Sequence, residues 1–158
     1  MGVMAGHGFD YAVTPTVSAG AYSAGDIVGG LLTFYVGDGN SSVVAITGID
    51  VAVKAAVTSS LKLVLFNADP TNTTKTDNAA YSLAAADVFK VITCVDFTTS
   101  NALLTDHGTP NTYSLNGQSI VAGTERGNNA IYGLLIDGTG WTLTSTSDLQ
   151  IRLRGLGA

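Results

Sequence analysis

Two histidines, one cysteine and twelve carboxylates are the side chains of this sequence that could carry a reaction or hold a metal. His107 follows Asp106, which in residue type is half of an acid–base pair. The competing reading is an exposed loop histidine beside a turn-forming aspartate, and it needs no partner elsewhere. His7 lies in a Gly-rich N-terminal stretch. Cys94 sits inside an apolar run, where no base or activating charge is near, and reads as a small buried hydrophobe. The stretch from Asp69 to Asn78, DPTNTTKTDN, offers carboxylate, amide and hydroxyl oxygens of the kind calcium takes. It lacks EF-hand spacing and any Glu, and Lys75 stands among the would-be ligands. No nucleophile elbow, phosphate loop, HExxH or Cys/His metal spacing is present. The residues therefore assign no catalytic centre, no cofactor and no metal. The other acids fall singly in turn-like segments, where Asp is a turn-former.

The elements around these residues read as strands. Leu61 to Asn67 alternates, with Leu61, Leu63 and Leu65 on one face and Lys62, Val64 and Phe66 on the other. Val88 to Phe97 is rich in β-branched and aromatic residues. Between them lies a long polar insert with Pro70, Asn and Asp, in which Ser82 to Asp87 is the one helical segment and Ser82 its candidate cap. Long ordered loops on a β scaffold are where binding surfaces sit. Further strands are expected over Tyr11–Val17, Ile27–Tyr35, Val43–Ala56, Ala130–Asp137 and Asp148–Leu153. Gly29-Gly30 is expected to form a bend or a bulge. Thr112–Leu115 and Ser119–Ala122 flank Asn116-Gly117, a hairpin dipeptide. The expectation is a single jelly-roll-like β-sandwich of about eight antiparallel strands with one short helix, spanning residues 11–158, behind a flexible N-terminal arm over residues 1–10.

Composition agrees with an all-β fold. Only 12% of the residues are charged and Glu125 is the only glutamate, so the surface must be made of Thr, Ser, Asn and Gly. The net charge is -5 and the seven basic residues are scattered, which argues against nucleic acid as a partner. Arg152 and Arg154 share one face of the last strand, a solvated or interface-facing edge. A secretory signal and a membrane-spanning run are not seen in the sequence.

Two blocks, TPTVSAGAYSAGDIVGGLLTF (Thr14 to Phe34) and LVLFNADPTNTTKTDNAAYSLAAADVFKVI (Leu63 to Ile92), resemble tailed-bacteriophage virion structural proteins of the capsid cement or decoration type. The late stretch YGLLIDGTGWTLTSTSDLQIRL (Tyr132 to Leu153) fits the same pattern. The resemblance implies a non-enzymatic structural protein on the outer surface of an icosahedral head, a component of the virion. Its partner would be the major capsid protein, its state a homo-trimer, and neither nucleic acid nor membrane would be bound. The first contacts expected with capsid or neighbouring subunits are Phe9, Tyr11 and Tyr22 near the N terminus, and Asp69, Asn72, Lys75 and Asp77 in the insert.

A second class stays open on the residues alone. A carbohydrate-binding module or tail-associated adhesin would show an aromatic face, for which Tyr22, Tyr81, Tyr113 and Trp141 are the candidates.

Overall fold

Alternating apolar residues and Gly-rich turns produce strands nearly throughout. The computed structural model describes residues 7–36, 43–54, 59–98, 102–104, 110–124 and 128–157. In chain order the strands are β1 (His7–Val13), β2 (Gly20–Tyr22), β3 (Ile27–Tyr35), β4 (Val43–Val53), β5 (Leu61–Phe66), β6 (Val91–Phe97), β7 (Ala102–Leu104), β8 (Pro110–Gly123), β9 (Ala130–Asp137), β10 (Trp141–Leu143) and β11 (Leu149–Gly157). A 3-10 helix spans Ala85–Lys90.

Two antiparallel sheets form. One has the order β1-β11-β4-β8-β7 and the other the order β3-β9-β5-β6; β10 and β2 make a separate two-stranded ribbon. Setting aside the short β2, β7 and β10, the principal strands pair from the outside inward: β1 with β11, β3 with β9, β4 with β8, and β5 with β6. That is one long antiparallel hairpin rolled up on itself, the jelly roll. Cross-connections β11–β4 and β9–β5 close the two sheets. The roll brings His7 opposite Gly157.

The core lies between the sheets. Leu32, Phe34, Leu63, Leu65, Ile131 and Leu135 come from the four-stranded sheet, and Ile46, Ile49, Val51, Tyr113, Ile151 and Leu153 from the five-stranded one. Alternation forces the other face of β5 outward, so Val64 and Phe66 join Ile27, Leu134 and Ile136 in a second buried cluster. That cluster lies outside the sandwich, under the insert between β5 and β6.

Several expectations need correction. His7 to Asp10, expected in a flexible arm, lie in β1 and pair with β11; residues 1–6 are outside the described residues. The first strand runs over His7–Val13, and Pro15 follows it. Asn116-Gly117 is not a hairpin: β8 runs through it, paired with β4 on both sides. Gly117 has φ 72 and lies where the register shifts, so its positive φ serves a bulge. The helix is 3-10 and starts three residues later than Ser82; its cap position is Ala84, with no side-chain cap bond. Consequently Val88, Phe89 and Lys90, read as strand, precede β6. Cys94 is exposed, because β6 is a sheet edge and Cys94 is paired with Val64 on the outward face. The Gly29-Gly30 bulge forms as expected: Val28 opposes Leu135 and Leu31 opposes Leu134, leaving both glycines in excess.

Gly29 combines φ 80 with a close approach, since a methyl group there would lie 2.7 Å from the Pro15 ring. Gly25 has φ 95 but open space around it. Gly29→Ala should therefore lose about 2–4 kcal/mol of stability, from added backbone strain and steric overlap together. Gly25→Ala should lose about 1–2 kcal/mol, from added strain alone. Urea unfolding followed by circular dichroism separates the two, and equal losses would refute the packing assignment at Gly29.

Candidate functional site

The insert over residues 67–90 is built as a fitted cover. Its backbone first zips onto the free edge of β3: Asn78 N–H donates to Ile27 O at 2.8 Å, Ile27 N–H to Ala79 O at 2.9 Å and Tyr81 N–H to Gly25 O at 2.9 Å. Asn78 adopts φ 58, a left-handed conformation that asparagine tolerates. Tyr81 and Leu83 then pack on the outer cluster of Ile27, Val64, Phe66, Leu134 and Ile136. A sheet edge and an apolar face that would otherwise invite association are covered by the chain itself.

Two carboxylates fix the cover. Asp77 accepts from Ser18 N–H at 2.7 Å, Ser18 Oγ at 2.5 Å, Tyr22 OH at 2.9 Å and Gly29 N–H at 2.6 Å. Burial alone would push the Asp77 carboxyl up; the donors from Ser18, Gly29 and Tyr22 outweigh it and hold it below the usual range. Burial and the adjacent carboxylate push the Tyr22 phenol well above its ordinary value. Asp87, fully buried, accepts from Asn72 N–H at 2.8 Å and Thr73 Oγ1 at 2.9 Å and pairs with Lys90 Nζ at 2.8 Å. Lys90 lowers the Asp87 carboxyl most, against its burial, with help from Thr73 and Asn72. Lys90 also donates to Asp69 O at 2.7 Å, and Lys75 pairs with Asp69 at 2.7 Å.

These contacts decide what the insert can do chemically. Asp77 faces N–H and O–H donors and Asp87 faces these and the Lys90 ammonium, so neither carboxylate is turned toward a cation site. No group of three or more His, Cys, Asp or Glu suited to a metal occurs among the described residues. Asp106 and His107 lie outside them. A separate buried group joins Ser59 Oγ to Asp137, with Tyr113 OH donating to Ser59 O and Thr139 N–H to Asp137. It pairs a hydroxyl directly with a carboxylate and has no imidazole between them to act as base.

The expected contact residues are dispersed. Tyr22 is 3% exposed and belongs to the core, so it makes no outward contact; its partner is Asp77, itself turned inward. Phe9 and Tyr11 are half-buried on β1, Tyr11 edge-on to Tyr35 with ring centroids 5.7 Å apart. Asp69 and Lys75 meet within the insert, whereas Asn72 is exposed and bonds Asp87 through its backbone N–H. Of the candidate sugar-face aromatics, Tyr22, Tyr113 and Trp141 are buried and Tyr81 packs from the insert onto the outer cluster. The residue that sequence reading missed is Phe89. It is 96% exposed beside Val88, and its place in an apolar run marks it for the core.

No protein-family model matches the chain and no curated protein matches it. Among solved structures, one from tomato aspermy virus aligns over 96% of this chain and 76% of its own, at 10% identity and a TM-score of 0.42. Another, from a marine algae virus of the order Picornavirales, aligns over 95% and 67% at 12% identity and a TM-score of 0.23. Likeness at these scores decides nothing, and the fold assignment rests on the strand order.

Asp77 and Asp87 titrate near 3.8 when free and lower in the fold. Their stabilisation is therefore complete above the free value and is lost as pH falls through the lowered folded values. Thermal midpoints should stay level from about pH 7 to 5 and fall below about pH 4. Asp77→Asn should melt lower at neutral pH and lose less on acidification. An acid dependence unchanged by Asp77→Asn would show that this carboxylate does not set it.

Proposed function

We propose that this protein is a non-enzymatic virion structural protein of the cement or decoration type. It would bind the outer surface of the major capsid protein lattice as a homo-trimer and stabilise the head. One observation carries the reading: the two outer faces of the sandwich are treated differently. The insert covers the four-stranded sheet, whereas no described element covers the outer face of the five-stranded sheet. Across that bare face runs an apolar row, because Leu156 on β11 opposes Ala45 on β4, and Ala45 opposes Val121 on β8. Val121 is 67% and Leu156 53% exposed, and Val43 continues the patch two residues before Ala45. Contiguous apolar side chains on a sheet face mark a protein contact.

Further along the same face the charges are paired. Arg154 bonds Asp50 at 2.8 Å and Asn116 at 2.9 Å, and Arg152 lies 3.4 Å from Asp10. Apolar residues beside balanced charges suit the core and rim of an interface. The resemblance of Thr14–Phe34 and Leu63–Ile92 to phage virion proteins supports the same reading, and jelly rolls serve in capsids as well as in lectins. An acidic chain suits the outside of a head, away from packaged nucleic acid. Asn72, with Asp69 and Lys75, would contribute at the insert side. Carbohydrate binding, the other reading, gains nothing from the aromatics expected to serve it.

Purified protein should co-sediment with bare heads and raise the temperature at which they fall apart. The double variant Val121→Glu, Leu156→Glu should keep its own melting temperature. Its head affinity should drop by about 2 kcal/mol or more, roughly 30-fold. Unchanged binding by that variant would remove the bare face from the interface, and no binding by the wild type would sink the proposed function.

A further inference from the structure

Arg154, Gly48 and Asn116 stand in one register row across β11, β4 and β8. The middle position carries no side chain, and that lets the guanidinium lie over β4: a Cβ at Gly48 would come within 3.3 Å of Arg154 Nε and Nη2. Arg154 Nη2 thereby reaches Asn116 Oδ1 at 2.9 Å while holding Asp50 at 2.8 Å. Asn116 Nδ2 donates to Ser114 Oγ at 3.2 Å, and Ser114 Oγ donates to Asp50 at 2.6 Å. Both ends of the Asn116 amide are engaged, on a residue exposed to solvent.

The residue after it is Gly117, and no other asparagine in the sequence precedes a glycine. The register passes from Gly48 opposite Asn116 to Ile46 opposite Ile120, so one residue of β4, Thr47, spans Gly117, Gln118 and Ser119 of β8. On the other side of β8, β7 pairs only with residues up to Tyr113. Gly117 is therefore outside the ladder register on both sides. It is exposed, and nothing lies within 4 Å of where its Cβ would stand. A main-chain nitrogen with no side chain beside it and open space around it is the partner on which an asparagine side chain can close.

We infer that Asn116 is a site of spontaneous deamidation, promoted by Arg154. Gly117 N attacks Asn116 Cγ, the new N–C bond closes a five-membered imide, and the Cγ–Nδ2 bond breaks. Nδ2 leaves as ammonia, and the proton that Gly117 N gives up reaches it through solvent. Water then adds to either imide carbonyl and yields aspartate or isoaspartate, with nothing oxidised or reduced. Arg154 Nη2 already bonds the oxygen on which negative charge develops during the attack. Asp50 holds the guanidinium in place for it. The product carboxylate forms beside the same guanidinium, so its charge is met as it appears. The inference goes beyond the proposed function and holds whatever the protein binds.

Ageing the folded full chain in mildly alkaline buffer tests this, read by peptide mapping with mass spectrometry and by anion-exchange chromatography. Asn116 should convert ahead of every other asparagine, and a more acidic species should grow in at the same rate. Arg154→Met should slow the conversion about tenfold or more. Circular dichroism melts check that this variant folds. Should it not, Arg154→Lys, which keeps a cation but loses the planar fork, should slow the conversion by a smaller factor. Wild type in which Asn116 outlasts the other asparagines would overturn the inference. So would a folded Arg154 variant that converts at the wild-type rate or faster, since a faster variant would make the guanidinium a clamp that protects the amide. No head or partner enters the measurement, so its failure is distinct from failure of the proposed function.

Discussion

One carboxylate, that of Asp77, ties the insert to a segment 48 to 59 residues earlier in the chain. It gathers Ser18, Tyr22 and Gly29 with the insert. The β3 bulge is what turns the Gly29 N–H toward it, so the local irregularity and the carboxylate explain each other. Magnitudes show what the grip does and does not do. Ordering a loop of this length costs on the order of tens of kcal/mol. Hydrogen bonds to a charged group return roughly 1.5–3 kcal/mol each. The grip therefore cannot fold the insert by itself. Apolar burial of Tyr81 and Leu83 on the outer cluster must supply much of the rest. What the carboxylate fixes is position: it sets where along the edge of β3 the cover lies, and with it where the 3-10 helix and Phe89 emerge.

The consequence is a sandwich with unlike outsides. The four-stranded sheet has been converted into an inner layer, with apolar residues on both of its faces. That explains why β9 is buried almost throughout, with only Tyr132 half-exposed. The five-stranded sheet keeps the alternation of a half-exposed sheet, clearest along β11. Its outer face is the part of the molecule left to meet something else.

The strands of the four-stranded sheet that carry the buried cores were legible in the sequence. β3 and β9 run over the residues that the apolar pattern assigns, and β5 within one residue, because period-two burial is a local property. The rolled pairing was legible only as a class, since no local pattern says that His7 meets Gly157. The site was less legible still. Phe89 stands in an apolar run that reads as strand, and only the capture of Asp87 by Asn72 and Thr73, fifteen and fourteen residues earlier, bends that run into a 3-10 helix. Tyr22 reads as a lone aromatic in a small-residue loop, and its burial depends on an acceptor 55 residues away. Cys94 reads as core because alternation cannot tell the inner face of an edge strand from the outer one. Asn116-Gly117 has hairpin chemistry, yet a positive φ serves a bulge equally well when both flanks pair with the same strand.

The low charge content then has two causes. A β surface of Thr, Ser and Gly accounts for part of it. Under the proposed function, interface formation would account for another part, because charged groups buried against a partner must be desolvated, at a cost their pairing does not always offset. On the bare face Arg154 is paired with Asp50 and Arg152 with Asp10 within the chain. Pairing in advance lowers the penalty that a partner would otherwise meet on covering them. The uncharged positions between are filled by Ala45, Ala52, Val121 and Leu156, which lose little when water leaves. A face designed only for solvent would gain nothing from that arrangement, whereas a face that is covered during assembly depends on it.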